Sequence, residues 1–148
     1  MQDTRNVDAI VSALIDLTGW LNSPRQDEAL LRAAGVSLDR ALFPLLVRLS
    51  AAPALSVGQL AEQVGRDPST VSRQLAKLEQ LGLVRRPPAQ HDGRVRAAAI
   101  TKAGGRAVAA ITEARRRVLG ELMHGWPAAE QAMLPRLLRK FVDAMKAR

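Results

Sequence analysis

Ser69, Thr70 and Ser72 put three short hydroxyls ahead of Arg73, Gln74 and Lys77, all within nine residues. None of these groups has a base placed to make it a nucleophile. They are hydrogen-bonding groups of the kind that approach base edges and phosphates. Arginine bonds guanine bidentately, glutamine bonds adenine, and hydroxyls and ammonium groups take phosphate oxygens. A second set follows at Asp92-Gly93-Arg94, with Arg96 beyond it and Arg85 and Arg86 before it. Asp-Gly is a turn signal, because glycine takes positive φ cheaply. A long cationic side chain at such a tip can enter a minor groove, whose narrow A·T stretches carry enhanced negative potential.

Positioning these groups needs short, well-terminated elements, and the neighbouring residues supply them. Ser56 and Gln59 have the spacing of a capping box, and Gly65 can close that first helix in the left-handed conformation. Asp67 is a strong N-cap, and Pro68 suits the first helical position, where its missing N–H has no partner in any case. Val71, Leu75 and Leu78 fall at i, i+4 and i+7, an inward stripe with Leu81 at its edge. Ser69, Arg73, Ala76 and Gln80 lie opposite that stripe, Thr70, Gln74 and Lys77 lie on one flank, and Ser72 lies on the other. Gly82 ends the second helix. Leu83-Val84-Arg85-Arg86 and Val95-Arg96-Ala97-Ala98-Ala99-Ile100 then read as two strands joined through Pro87–Gly93. Helix, one-residue turn, helix and basic hairpin make a winged helix-turn-helix, whose second helix fits a DNA major groove.

The flanks are helical. Val7, Ile10, Val11, Leu14, Leu17 and Leu21 recur at three- and four-residue steps, which predicts a helix over about 5–21. Ser23 and Gln26 offer a second capping box for a short helix ending at Gly35, with Ala29, Leu30 and Ala33 on one side. Ser37 is expected to cap a helix over about 38–51, kinked or broken at Pro44. Thr101 is expected to cap a helix running to about His124. After Gly125-Trp126-Pro127, a last helix carries Met133, Leu134, Leu137, Leu138, Phe141, Val142 and Met145, with Pro135 as a kink or a late start. The apolar sides of the terminal helices exceed what a small reading module covers. A homodimer joined through Val7, Ile10, Val11, Leu14, Leu137, Phe141 and Met145 is expected to bury them and to set two reading helices about 34 Å apart, one DNA turn; the alternative is that the two ends pack on each other within one chain. The predicted fold is therefore mainly α with a small β-hairpin wing. Residues 1–36 and 102–148 are the dimerisation regions, and residues 37–101 are the DNA-binding module.

The chain has 148 residues and a formal net charge of +8. Residues 1–55 hold five arginines against six acids, residues 56–106 nine basic residues against four, and residues 107–148 eight against four. The excess thus begins where the helix-turn-helix begins, and an anionic partner is expected. There is no cysteine, so disulfides, thiolate zinc sites and thiol sensing are excluded. The two histidines, His91 and His124, are far apart and read as turn and surface residues, so no metal or cofactor is expected. No nucleophile elbow, phosphate loop or paired-carboxylate motif argues for an enzyme. No apolar run approaches 18 residues and no signal-peptide pattern opens the chain, so cytoplasm rather than membrane is the expected location.

Several of these stretches together resemble the MarR family of bacterial transcriptional regulators. They are Leu60-Ala61, Thr70-Val71-Ser72-Arg73, Leu78-Glu79-Gln80-Leu81-Gly82-Leu83-Val84-Arg85-Arg86, Asp92-Gly93-Arg94 (the family's D-x-R), and Ile100-Thr101-Lys102-Ala103-Gly104 (its L-T-x-x-G with isoleucine first). The likeness spans about 37–105. It implies a triangular homodimer on pseudo-palindromic promoter DNA, with Arg73 and its neighbours in the major groove and Arg94 in the minor groove. It implies that Asp92 holds the wing by pairing with a basic side chain. It also implies a repressor that lets go when a small molecule, commonly an anionic aromatic, binds between the reading and dimer parts. Pro87-Pro88-Ala89-Gln90-His91 departs from the family's usual D-P-x-D, and the chain has no tyrosine to build a strongly aromatic pocket. The rival reading is an architectural protein that coats DNA without sequence choice.

Overall fold

The computed structural model describes residues 3–87 and 97–148, and it divides into two compact units, Met1–Ala114 and Arg115–Arg148. In the first unit α1 (Thr4–Leu21) is capped by the Asp3 side chain, which accepts from the Arg5 N–H. α2 (Pro24–Ala34) begins at Ser23 with proline in its first turn. The Ser23 hydroxyl accepts from the Gln26 N–H at 3.4 Å, but the Ser23 N–H donates to the Trp20 carbonyl. The expected capping box is therefore only half formed, because the returning end of α1 already satisfies that donor. Leu31 is the buried residue of α2, whereas Ala29 and Ala33 are exposed.

α3 spans Phe43–Ser50, not the expected 38–51. Residues before it form a turn in which Asp39 accepts from the Ala41 N–H and its carbonyl accepts from the Leu42 N–H. Pro44 thus sits in the first turn of a helix rather than inside one, where its missing N–H removes no helical bond. Ser37 caps nothing here. Leu42, Phe43, Leu45, Leu46 and Leu49 are buried, as a helix with this apolar side requires.

β1 (Leu55–Ser56), α4 (Val57–Val64), α5 (Pro68–Gln80), β2 (Val84–Arg85) and β3 (Ala97–Ile100) follow. The sheet order is β1-β3-β2, antiparallel throughout, with Leu55 opposite Ala98 and Val84 opposite Ile100. The first strand is not among the expected elements: a two-residue strand is too short to show alternation. One core unites α3, α4, α5 and the sheet through Leu45, Leu46, Leu49, Leu60, Val71, Leu75, Leu78, Val84 and Ala98. A second cluster joins Leu31, Phe43 and Ile111, the last from α6 (Lys102–Leu122).

The second unit holds the end of α6 and α7 (Ala128–Lys146). α7 continues through Pro135, so the alternative of a late start fails. Neither α1 nor α7 contains a buried residue. Among the described residues no helix is long and apolar enough to cross a membrane.

Candidate nucleic-acid interface

The helix that carries the candidate contact residues is α5, and its two ends are fixed by different devices. At its start the Asp67 carboxylate accepts from the Thr70 N–H (3.1 Å), the Thr70 hydroxyl (2.8 and 2.6 Å) and the Ser69 hydroxyl (3.0 Å). These bonds, the one from the Thr70 hydroxyl foremost and the charge of Arg73 least, hold the Asp67 carboxyl below the ordinary aspartate range. Arg73 in turn donates to the Thr70 hydroxyl at 3.3 Å. At the other end Gly82 takes φ +75°, its N–H bonds to the Glu79 carbonyl, and the Leu83 N–H bonds to the Leu78 carbonyl. That is a Schellman closure, and Gly65 (φ +69°) closes α4 in the same left-handed conformation.

Between these ends the helix has two unlike sides. Val71, Leu75 and Leu78 are fully buried, while Pro68, Ser69, Ser72, Arg73 and Lys77 are exposed and Thr70 is half-buried. The structure therefore brings together on one outer surface most of the side chains read from the sequence as base and phosphate contacts. Gln74 is different. It is half-buried, and its amide oxygen accepts from Arg66 Nη1 at 2.9 Å, the same nitrogen that donates to the Ala41 carbonyl at 2.7 Å. Sequence reasoning misses Arg66. A lone arginine in the one-residue turn between Gly65 and Asp67 is the only signal it leaves there.

Of the hairpin residues, Arg85 is exposed on β2 and Arg86 is half-buried. Asp92, Gly93, Arg94 and Arg96, together with His91, lie outside the described residues. The strands on either side of residues 88–96, β2 and β3, pair Val84 to Ile100 and Arg85 to Ala99.

A second glycine-dependent contact fixes α6 to the reading helix. The Thr101 N–H donates to the Leu83 carbonyl (3.1 Å), the Thr101 hydroxyl donates to the Gly82 carbonyl (2.7 Å), and the Gly104 N–H donates back to that hydroxyl (3.1 Å). A Cβ at Gly104 would collide with the Leu83 carbonyl oxygen and lie 2.6 Å from Ile100 Cγ1. The Thr-Lys-Ala-Gly stretch is thus both a helix start and a close-packed joint.

Residues 38–96, which hold this helix-turn-helix, match the profile of the MarR family. The HTH-type transcriptional regulator YxaD of Bacillus subtilis is 34% identical over 108 residues, which cover 73% of this chain and 76% of that protein. The chain belongs to the MarR family of transcriptional regulators. A MarR family protein from Bacillus stearothermophilus has the same fold over 99% of each chain, with a TM-score of 0.84 at 23% identity. A Mycobacterium tuberculosis protein superposes with a TM-score of 0.76 at 27% identity, over 99% of this chain and 97% of the other. In this MarR-family chain the matched region contains α5 and extends through Asp92-Gly93-Arg94. Among the described residues no three His, Asp or Glu side chains are grouped to hold a metal ion.

Proposed function

We propose that this MarR-family regulator is a homodimeric repressor that acts in the cytoplasm on a pseudo-palindromic promoter site. The carrying observation is the two-sidedness of α5: Val71, Leu75 and Leu78 are wholly buried, and Ser69, Ser72, Arg73 and Lys77 project from the other side. A helix whose inner stripe is held in a core can offer its outer row to a major groove. Pro68, Ser69, Thr70, Ser72, Arg73 and Lys77 contact bases and phosphates in this reading. Arg86, Asp92, Gly93, Arg94 and Arg96 form and charge the wing that enters the adjacent minor groove. The dimer is supported by α1 and α7, which leave Val11 48% and Leu137 45% exposed. Release by a small-molecule effector belongs to the same proposal, and the likeness to the family is what supports it.

Selection from a pool of random duplexes tests it. A palindrome with half-sites about 10 base pairs apart is expected, with affinity falling steeply as salt rises. Arg73→Ala is expected to cost about 1–3 kcal/mol and to blur one base position per half-site. Recovery of unrelated sequences with equal affinity marks an architectural DNA coat instead. Loss equal on every sequence reduces Arg73 to a phosphate contact.

A further inference from the structure

Arg66 sits where three pieces of the module meet. It occupies the turn between α4 and α5, and its Nη1 donates to Ala41, in the turn before α3, and to Gln74 on the reading helix. One guanidinium nitrogen carries two N–H groups, and here each has its own acceptor. Arginine has no acceptor atom, so it can only be the amide oxygen of Gln74 that faces it. Such a charge-assisted bond is short and directional.

The apolar contacts of α5 lack that direction. Val71, Leu75 and Leu78 hold the helix by burial, which resists lifting it off the core more than it resists rolling it about its own axis. At an outer helix radius of about 5–6 Å, a roll of about 20° moves a side-chain tip by about 2 Å. That is enough to break a base contact, whose donor–acceptor range is about 0.5 Å wide. Gln74 follows Arg73 directly, about 100° round the helix. Pinning Gln74 therefore sets the direction in which Arg73 projects.

We infer that the Arg66–Gln74 link positions the reading helix in roll, so that Gln74 acts through Arg66 rather than reading a base. This rests on the DNA-reading function proposed above. It also replaces the expectation that Gln74 bonds adenine: that contact needs the amide oxygen and nitrogen presented together to the base edge. Here the oxygen is turned to Arg66 and the side chain is half-buried.

Two substitutions at Gln74 separate the roles, both assayed on the full chain by selection from random duplexes, with folding confirmed by circular dichroism. Gln74→Leu removes the acceptor. It is expected to lower the preference for the wild-type palindrome over unselected DNA by about tenfold, with the loss shared across the positions facing α5. Gln74→Glu keeps an acceptor for Arg66 and is expected to return the wild-type sequence. Arg66→Ala is expected to match Gln74→Leu, and the double variant to lose no more than either alone. A Gln74→Leu protein that keeps full preference overturns the inference. So does loss at a single base position, or a switch of that position to cytosine in Gln74→Glu, because a carboxylate accepts from the cytosine amino group. A wild-type chain that selects no sequence instead removes the DNA-reading function itself, and this inference with it.

Discussion

At Asp67 one carboxylate accepts the Thr70 N–H and the hydroxyls of Ser69 and Thr70, and Arg73 donates to the second of those hydroxyls. The chain of bonds runs from the helix cap to Arg73, so the cap also restrains that side chain. The bonds favour the charged form and depress the carboxyl's pKa. A depressed folded-state pKa stabilises the fold at every pH above the unfolded aspartate value, and that contribution is lost as pH falls through the lowered one. Melting temperature is therefore expected to drop more steeply on acidification from about pH 5 to pH 2 in the wild type than in Asp67→Asn, which keeps a cap acceptor without the charge. Parallel curves for the two proteins would show that the charged cap contributes nothing.

Among the elements, the joint between α5 and α6 depends on a glycine that touches backbone. A methyl at Gly104 meets the Leu83 carbonyl oxygen, which is itself bonded to the Thr101 N–H and has little room to yield. Gly104→Ala is expected to destabilise the protein by about 1–3 kcal/mol in urea titration, the usual cost of overpacking. At Gly105, its neighbour on the same helix, a methyl would meet nothing within 4 Å. Gly105→Ala is expected to stabilise by up to about 1 kcal/mol, because alanine loses less conformational entropy in a helix. Equal effects at the two positions would refute the close contact.

At the scale of the whole molecule, α1 and α7 pose the open problem of apolar surface. Ile10, Val11, Ile15, Met133, Leu137 and Met145 are each more than two-fifths exposed, and neither helix has a buried residue. An exposed apolar helix side of this kind marks an interaction surface. A stable dimer needs about 800 Å² from each partner, which amphipathic helices of 18 and 19 residues can supply. Val11→Glu and Leu137→Glu are each expected to yield a monomer in sedimentation and to cut affinity for the full palindrome at least tenfold, to about that for a half-site. A dimer that survives both would place the interface elsewhere.

Capping boxes, proline at first helical positions, closing glycines and apolar spacing are local signals, and they gave α4 and α5 nearly residue for residue. They work because each concerns bonds made within three or four residues. The same signals misled at Ser37 and Pro44. There a competing turn at Asp39–Phe43 forms, with the Asp39 carboxylate accepting the Ala41 N–H, and Leu42, Phe43 and Leu45 beside it pack into two cores, which no local pattern records. The sequence by itself determined α5, its buried stripe and the basic character of its outer side. Only the tertiary structure decided which polar residues on that helix face outward and which are tied to the scaffold. Gln74 and Arg73 are polar neighbours on the helix, and only Gln74 is bonded to Arg66, eight residues before it. The same holds for Gly104, whose need for a bare Cα arises from a carbonyl more than a helix turn away in sequence. Contacts between distant residues carry directions and distances that composition and spacing do not.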